Sequence, residues 1–330
     1  MKKTFKRNLV GLALSAMALV PMIGTVAHAN EYPNDVIRLV MPYPPGGMSD
    51  VTSRAIAAEL AKKIGGNIVV ENRPGAASTV ASNYIKNQKA DGYTLYAAPV
   101  SLVLNPMMQE GVSYKPYEDF TPVSMMIYSP FVLQVNKDLG VKSVGELVNL
   151  IKKNPGKYAI GTSGVGSINH LSAEYFMKQF GLDMVVVHYK GGTPAAQDLV
   201  GGQIQMMFSA ANEAKPMMDA GRTQGLAVTT KTRLPMLPDL PTMAEATDLK
   251  DFEAVFWMAM MGPSGLPENI QKKLSNAMLE LKDNPEFVKK MDDMGVQLTV
   301  SNPVGVTENL KRDEQKWGEI IQKLDLKGSK

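Results

Sequence analysis

Met41-Pro42-Tyr43-Pro44-Pro45-Gly46-Gly47-Met48-Ser49-Asp50 ends an apolar run, turns on glycine and opens a helix through Ser and Asp. Residues 36–41 before it, apolar apart from Arg38 and stopped by Pro42, read as a strand. Residues 50–64 after it place Val51, Ala55 and Ala58 at one helical spacing and Ile56, Leu60 and Ile64 at another, with Ser49 or Asp50 as the cap. The same grammar returns at Gly161-Thr162-Ser163-Gly164-Val165-Gly166-Ser167-Ile168-Asn169-His170. A helix start leaves backbone N–H groups free, and glycine lets an anion approach them closely. One such loop reads as an ordinary strand-to-helix turn. Two, far apart in the chain, point to one anionic ligand held between two domains.

The alternation of strand and helix continues on both sides of this stretch. Gly65-Gly66 ends the first helix, residues 68–70 form a strand, 76–88 a helix and 93–98 another strand, which implies a mainly parallel sheet faced by helices. Residues 123–128 and 131–135 read as two strands that cross into a second α/β unit. That unit carries helices at 144–154, 167–180 and 194–201, and strands at 158–161, 184–188, 204–208 and 225–229. A Pro-rich turn at 235–241 follows. Residues 256–261 read as a strand returning to the first unit, covered by helical segments after Pro267 and near Pro285.

Composition bounds the function. Lys2, Lys3, Lys6 and Arg7, an apolar stretch over 9–20 and Ala27-His28-Ala29 have the form of a secretory signal peptide at residues 1–29, so the mature chain is expected in the periplasm. The formal charge of +3 includes those four cations, which leaves −1 without them and gives no argument for nucleic-acid binding. There is no cysteine, hence no disulfide, thiolate nucleophile or Cys-based metal site. No histidine or carboxylate cluster has metal spacing, and neither metal nor cofactor is expected.

The second loop comes close to three enzyme signatures and fails each. Ser167 stands where a P-loop needs its lysine, Asn169 where a dinucleotide fingerprint needs glycine, and Val165 where a nucleophile elbow needs glycine. His170 and His188 are the histidines beyond the leader; His170 either lines the cleft or orients the loop. The 23 methionines cluster at 206–207, 217–218 and 258–261, which reads as core filling, whereas Met48 sits inside the first loop and should face the ligand.

Six motifs carry a family resemblance over essentially the whole mature chain: Tyr-Pro-Pro-Gly-Gly-x-x-Asp at 43–50, Val-Glu-Asn-Arg-Pro-Gly-Ala at 70–76 and Asp-Gly-Tyr-Thr-Leu at 91–95. They continue with Gly-x-Ser-x-x-Gly-Ser-x-x-His-Leu at 161–171, Tyr-Lys-Gly-Gly-x-Pro-Ala at 189–195 and Leu-Pro-Asp-Leu-Pro-Thr-Met-Ala-Glu at 237–245. In this order they resemble the extracytoplasmic solute receptors of tripartite tricarboxylate transporters, the Bug proteins. The resemblance implies a two-domain periplasmic-binding-protein (Venus-flytrap) α/β fold, type II-like, with two interdomain crossings. Domain 1 would take residues 30–127 and 255–330, and domain 2 residues 128–254.

The resemblance further implies a non-enzymatic monomer that closes on a small mono- or dicarboxylate and delivers it to membrane permease subunits. In such receptors both Gly loops hold the ligand carboxylate through backbone N–H groups, hydroxyls and ordered waters. Carried over, this points to Tyr43, Pro45, Gly46, Gly47, Met48 and Asp50, and to Thr162, Ser163, Gly166, Ser167 and His170. Ser209 joins them as a departure, standing where many members have Asp, which weakens the case for an amino-acid ligand. Met48 replaces a residue usually small or polar and could favour a longer or more apolar acid, and His188 replaces a common proline. The alternatives are a receptor feeding a sensor kinase and a secreted serine hydrolase using Ser163 with His170.

Overall fold

The computed structural model describes residues 32–250 and 252–323; the leader expected at 1–29 lies outside the described residues. Strands β1 (Val36–Met41), β2 (Asn67–Asn72) and β3 (Thr94–Pro99) alternate with helices α1 (Met48–Ile64) and α2 (Thr79–Lys86). β1 pairs parallel with both β2 and β3. α1 turns Ile56, Leu60 and Ile64 into the core and ends on Gly65 in the left-handed conformation. Its start differs from expectation: Met48 and Ser49 are already helical, so the N-cap falls on Gly47 and neither Ser49 nor Asp50 caps it.

α3 (Ser101–Met108) leads into β4 (Phe120–Asn136), one strand of 17 residues where the sequence suggested two. β4 pairs antiparallel with β9 (Val255–Pro263) from Phe120 to Pro130, and with other partners from Phe131 onward. Ser129-Pro130 reads as a break in sequence. In the fold the missing proline N–H falls where the strand changes partners, the kind of place a sheet tolerates it.

The second half of the chain adds α4 (Val144–Lys152), β5 (Ala159–Thr162), α5 (Ile168–Phe180), β6 (Val185–His188), α6 (Gly192–Val200) and β7 (Met206–Ala210). It continues with α7 (Ala211–Asp219), β8 (Thr223–Val228), α8 (Met243–Ala246), the returning strand β9, α9 (Glu268–Leu279), α10 (Pro285–Asp293), β10 (Gln297–Leu298) and α11 (Pro303–Lys323). The strands form one path, β2-β1-β3-β9-β4-β7-β5-β6, with β8 and β10 also on β4. β5 lies parallel to β6 and β7, whereas β4 and β9 run antiparallel to their neighbours. The sheet is therefore mixed instead of mainly parallel, because both long connecting strands enter it reversed.

Met206, Met207, Met258, Met260 and Met261 are fully buried, as their clustering suggested, whereas Met217 and Met218 are half-buried. The helix expected over 76–88 begins only at Thr79, since Ala76, Ala77 and Ser78 hold φ of 43°, 45° and 83°. α3, α7 and α11 lie in stretches without an expected element. Among the described residues no helix is long and apolar enough to cross a membrane.

Candidate functional site

In the first loop the Asp50 carboxylate turns back from the first turn of α1. It accepts from the backbone N–H of Gly46 at 3.0 Å, from Arg54 at 2.9 and 3.1 Å, and from Asn72 Nδ2 at 2.8 Å. Burial alone would raise its pKa, but the hydrogen bonds from Arg54, Gly46 and Asn72 outweigh that and hold it below the usual carboxylate range. Asn72 also donates to the Tyr43 carbonyl at 2.9 Å, so Asp50 and Asn72 together brace both ends of the loop.

The second loop is held by its own side chains. Ser167 caps α5, its Oγ accepting from His170 N at 3.3 Å and lying 2.6 Å from the Gly164 carbonyl. Asn169 Oδ1 accepts from the backbone N–H and the hydroxyl of Ser163 at 3.1 and 2.9 Å. His170 is buried, with Nδ1 accepting from Gly166 N at 3.2 Å, which places the ring proton on Nε2, 3.6 Å from Glu174 Oε1. Ser163 thus pairs with Asn169 and not with His170, and the nucleophile pair of the hydrolase reading is not formed.

A third loop follows the same grammar. Lys190 and Gly191, the latter at φ 128°, precede α6, whose first residues are Gly192 and Thr193. A fourth helix, α7, springs directly from β7 with Glu213 in its first turn. The starts of α1, α5, α6 and α7 all line one cavity of about 350 Å³. Its walls include Phe131, Met207, Phe208 and Phe256, and Tyr43 meets Phe256 edge to face at 5.9 Å. Lys190 is the only cation among its lining residues. Four helix starts around an apolar chamber make a field that favours a small anion with a hydrocarbon body.

The walls touch one another beside this cavity. Gln109, which follows α3, donates to the Val165 carbonyl at 2.9 Å, and a Cβ on Gly47 would stand 3.3 Å from the Thr193 hydroxyl. A Cβ on Gly166, at φ 81°, would meet Asn105 Oδ1 at 2.4 Å and Gln109 Nε2 at 2.6 Å. Glycine there is a condition of the contact between α3 and the second loop.

Of the residues named from sequence, Tyr43, Pro45, Gly47, Met48, Asp50, Ser163 and Ser167 line the cavity. The others stand around it. Gly46 lines an adjoining cavity, and Thr162 lies 2.7 Å from His188 Nδ1. Gly166 and His170 brace the second loop, and His170 meets the His188 ring edge-on at 4.8 Å. Ser209 is buried in β7, its hydroxyl donating to Gln134 Oε1 at 2.6 Å. Lys190, Gly191, Gly192 and Thr193 were not singled out as site residues, although the glycine-rich turn after an apolar strand carried the same signal. Glu213 had no such signal, since α7 follows its strand without glycine.

The strand path and the cleft ringed by helix starts define a periplasmic binding protein of the solute-receptor type. Residues 52–326 match the profile of the tripartite tricarboxylate transporter family receptor. The chain belongs to that family. BugT of Bordetella pertussis is 30% identical over 309 residues, covering 92% of this chain and 94% of BugT. Among solved structures, an R. palustris protein with adipate superposes with a TM-score of 0.86 at 30% identity, covering 89% of this chain and 98% of that one. MatC from Rhodopseudomonas palustris with bound malate gives 0.82 at 27% identity, covering 88% and 100%.

Proposed function

We propose that this chain is an exported receptor that captures a small organic carboxylate in the cavity between the two halves of its sheet. It then presents the closed complex to membrane subunits of a tripartite tricarboxylate-type transporter. The observation that carries the reading is the convergence of four helix starts on one chamber with apolar walls. Adipate and malate in the two neighbours named above support the ligand class. On this reading the lining residues of the first, second and third loops meet the ligand. Gly46, Thr162, Gly166 and His170 hold those loops in place, and Ser209 ties β7 to β4 through Gln134.

The proposed domains are 30–127 with 255–330, and 128–254. The exchange of β4 partners at Pro130 and Phe131 supports a boundary there. Ligand would favour the closed state because only closure brings every helix start within reach of one carboxylate. A thermal-shift screen of organic acids, phosphate esters and sugars tests this: acids raise the melting temperature, and a response to esters or sugars alone would overturn it.

A further inference from the structure

Glu213 is the one acidic side chain of the cavity that no cation holds. Asp50, the other lining acid, is clamped by Arg54. Glu213 stands at the starts of two helices from opposite walls. A Cβ on Gly192 would lie 3.1 Å from its Oε2, and the backbone of Met48 hydrogen-bonds to it. Together with Met48, Thr193 and Gln197 it also lines a second cavity of about 820 Å³, so it stands at the partition between the two. The carboxylate therefore occupies a place that the helix starts prepare for an anion.

We propose that Glu213 is the charge selector of the cleft: ionised, it fills one anion position itself and the cleft takes a monocarboxylate, whereas a dicarboxylate enters only as Glu213 takes up a proton. The inference rests on the carboxylate-capture reading. Its balance is simple. A dianion and one proton from solvent bind together, the proton rests on a Glu213 oxygen, and the resulting O–H donates to the second ligand carboxylate. Burial pushes the Glu213 carboxyl up from its ordinary range while the Met48 backbone pulls it back.

Asp50 of α1 is held by Arg54, Lys215 of α7 pairs with Asp219, and Asp293 of α10 pairs with Lys289. Lys190 on the third loop faces the same cavity and attracts both kinds of acid. His170 and His188 pack together behind Thr162, so a variant at Glu213, and not the wild-type profile alone, assigns the dependence.

The test is isothermal titration of the exported protein with matched pairs, butyrate against succinate and hexanoate against adipate, from about pH 6.5 to 8.5, where both diacids are ionised. The diacid-to-monoacid affinity ratio is expected to fall by up to tenfold per pH unit, with uptake of about one proton per diacid in buffers of different ionisation enthalpy. E213Q should raise that ratio at least tenfold at the upper pH and flatten its slope, and E213D should restore the slope. Should E213Q fail to fold, E213A is measured in its place, and its loss of both the slope and the proton uptake decides. A ratio indifferent to pH, with no proton uptake or no response to E213Q, would overturn the selector while leaving capture intact. Failure of every acid to bind at any pH would instead overturn the capture reading.

Discussion

Asp50 lies at the end of the stretch that opens the fold, and its role differs from the one its position suggested. The sequence offered it as a helix cap or ligand contact. The structure gives it four hydrogen bonds to Gly46, Arg54 and Asn72, because α1 begins two residues earlier than the polar pair implied. Asp50→Asn should cost about 1–3 kcal/mol, read by denaturant unfolding, since the network would lose its negative charge and one of its two acceptor oxygens, an amide NH2 then facing donors. Its lowered pKa means that the unfolded chain binds the extra proton. The contribution is therefore present above the ordinary aspartate range and is lost as pH falls through the depressed value, a loss the Asn variant would not show. Ala77, at φ 45°, is the opposite case: a side chain held where glycine fits better. Ala77→Gly should gain about 0.5–1 kcal/mol, the relief of left-handed strain less the entropy of a freer unfolded chain.

Among the elements, β1, α1, β5, α5 and most second-half strands were legible because periodicity and glycine punctuation agreed. What escaped is physically specific. β4 was split in two because Ser129-Pro130 looks like a turn, and only its exchange of sheet partners explains how one strand passes through. α7 and its Glu213 escaped because the handover from Ala210 to Ala211 needs neither glycine nor a polar cap. The third loop was in plain view but unassigned, since its glycines read equally well as a bare turn. Ser167→Ala, which removes the α5 cap, should destabilise by about 1 kcal/mol and lower the melting temperature by about 2 °C. Gly166→Ala should act differently. Its Cβ would press on Asn105 and Gln109, so the walls would part and ligand affinity would fall at least about tenfold in titration, beyond the loss expected from its left-handed φ alone.

For the whole molecule, the account is of a cleft whose specificity comes from backbone more than from side-chain charge. On the proposed function its anion field comes from helix starts, and the methionine and phenylalanine walls are the place for the carbon body of the ligand; its lining holds a single cation. Ligand at about 100 times its Kd should add roughly 2.7 kcal/mol, raising the melting temperature by roughly 5 °C for a chain of this size. The family motifs make the fold class legible in the sequence, whereas the partition at Glu213 belongs to contacts between α1, α6 and α7 that no spacing in the sequence encodes. The most direct measurement is isothermal titration of the purified protein with an acid that stabilises it and with the corresponding primary amide, of nearly the same shape but uncharged. Saturable one-to-one binding of the acid, with the amide weaker by about 100-fold or more, is the expected result. Equal affinity for acid and amide would contradict it.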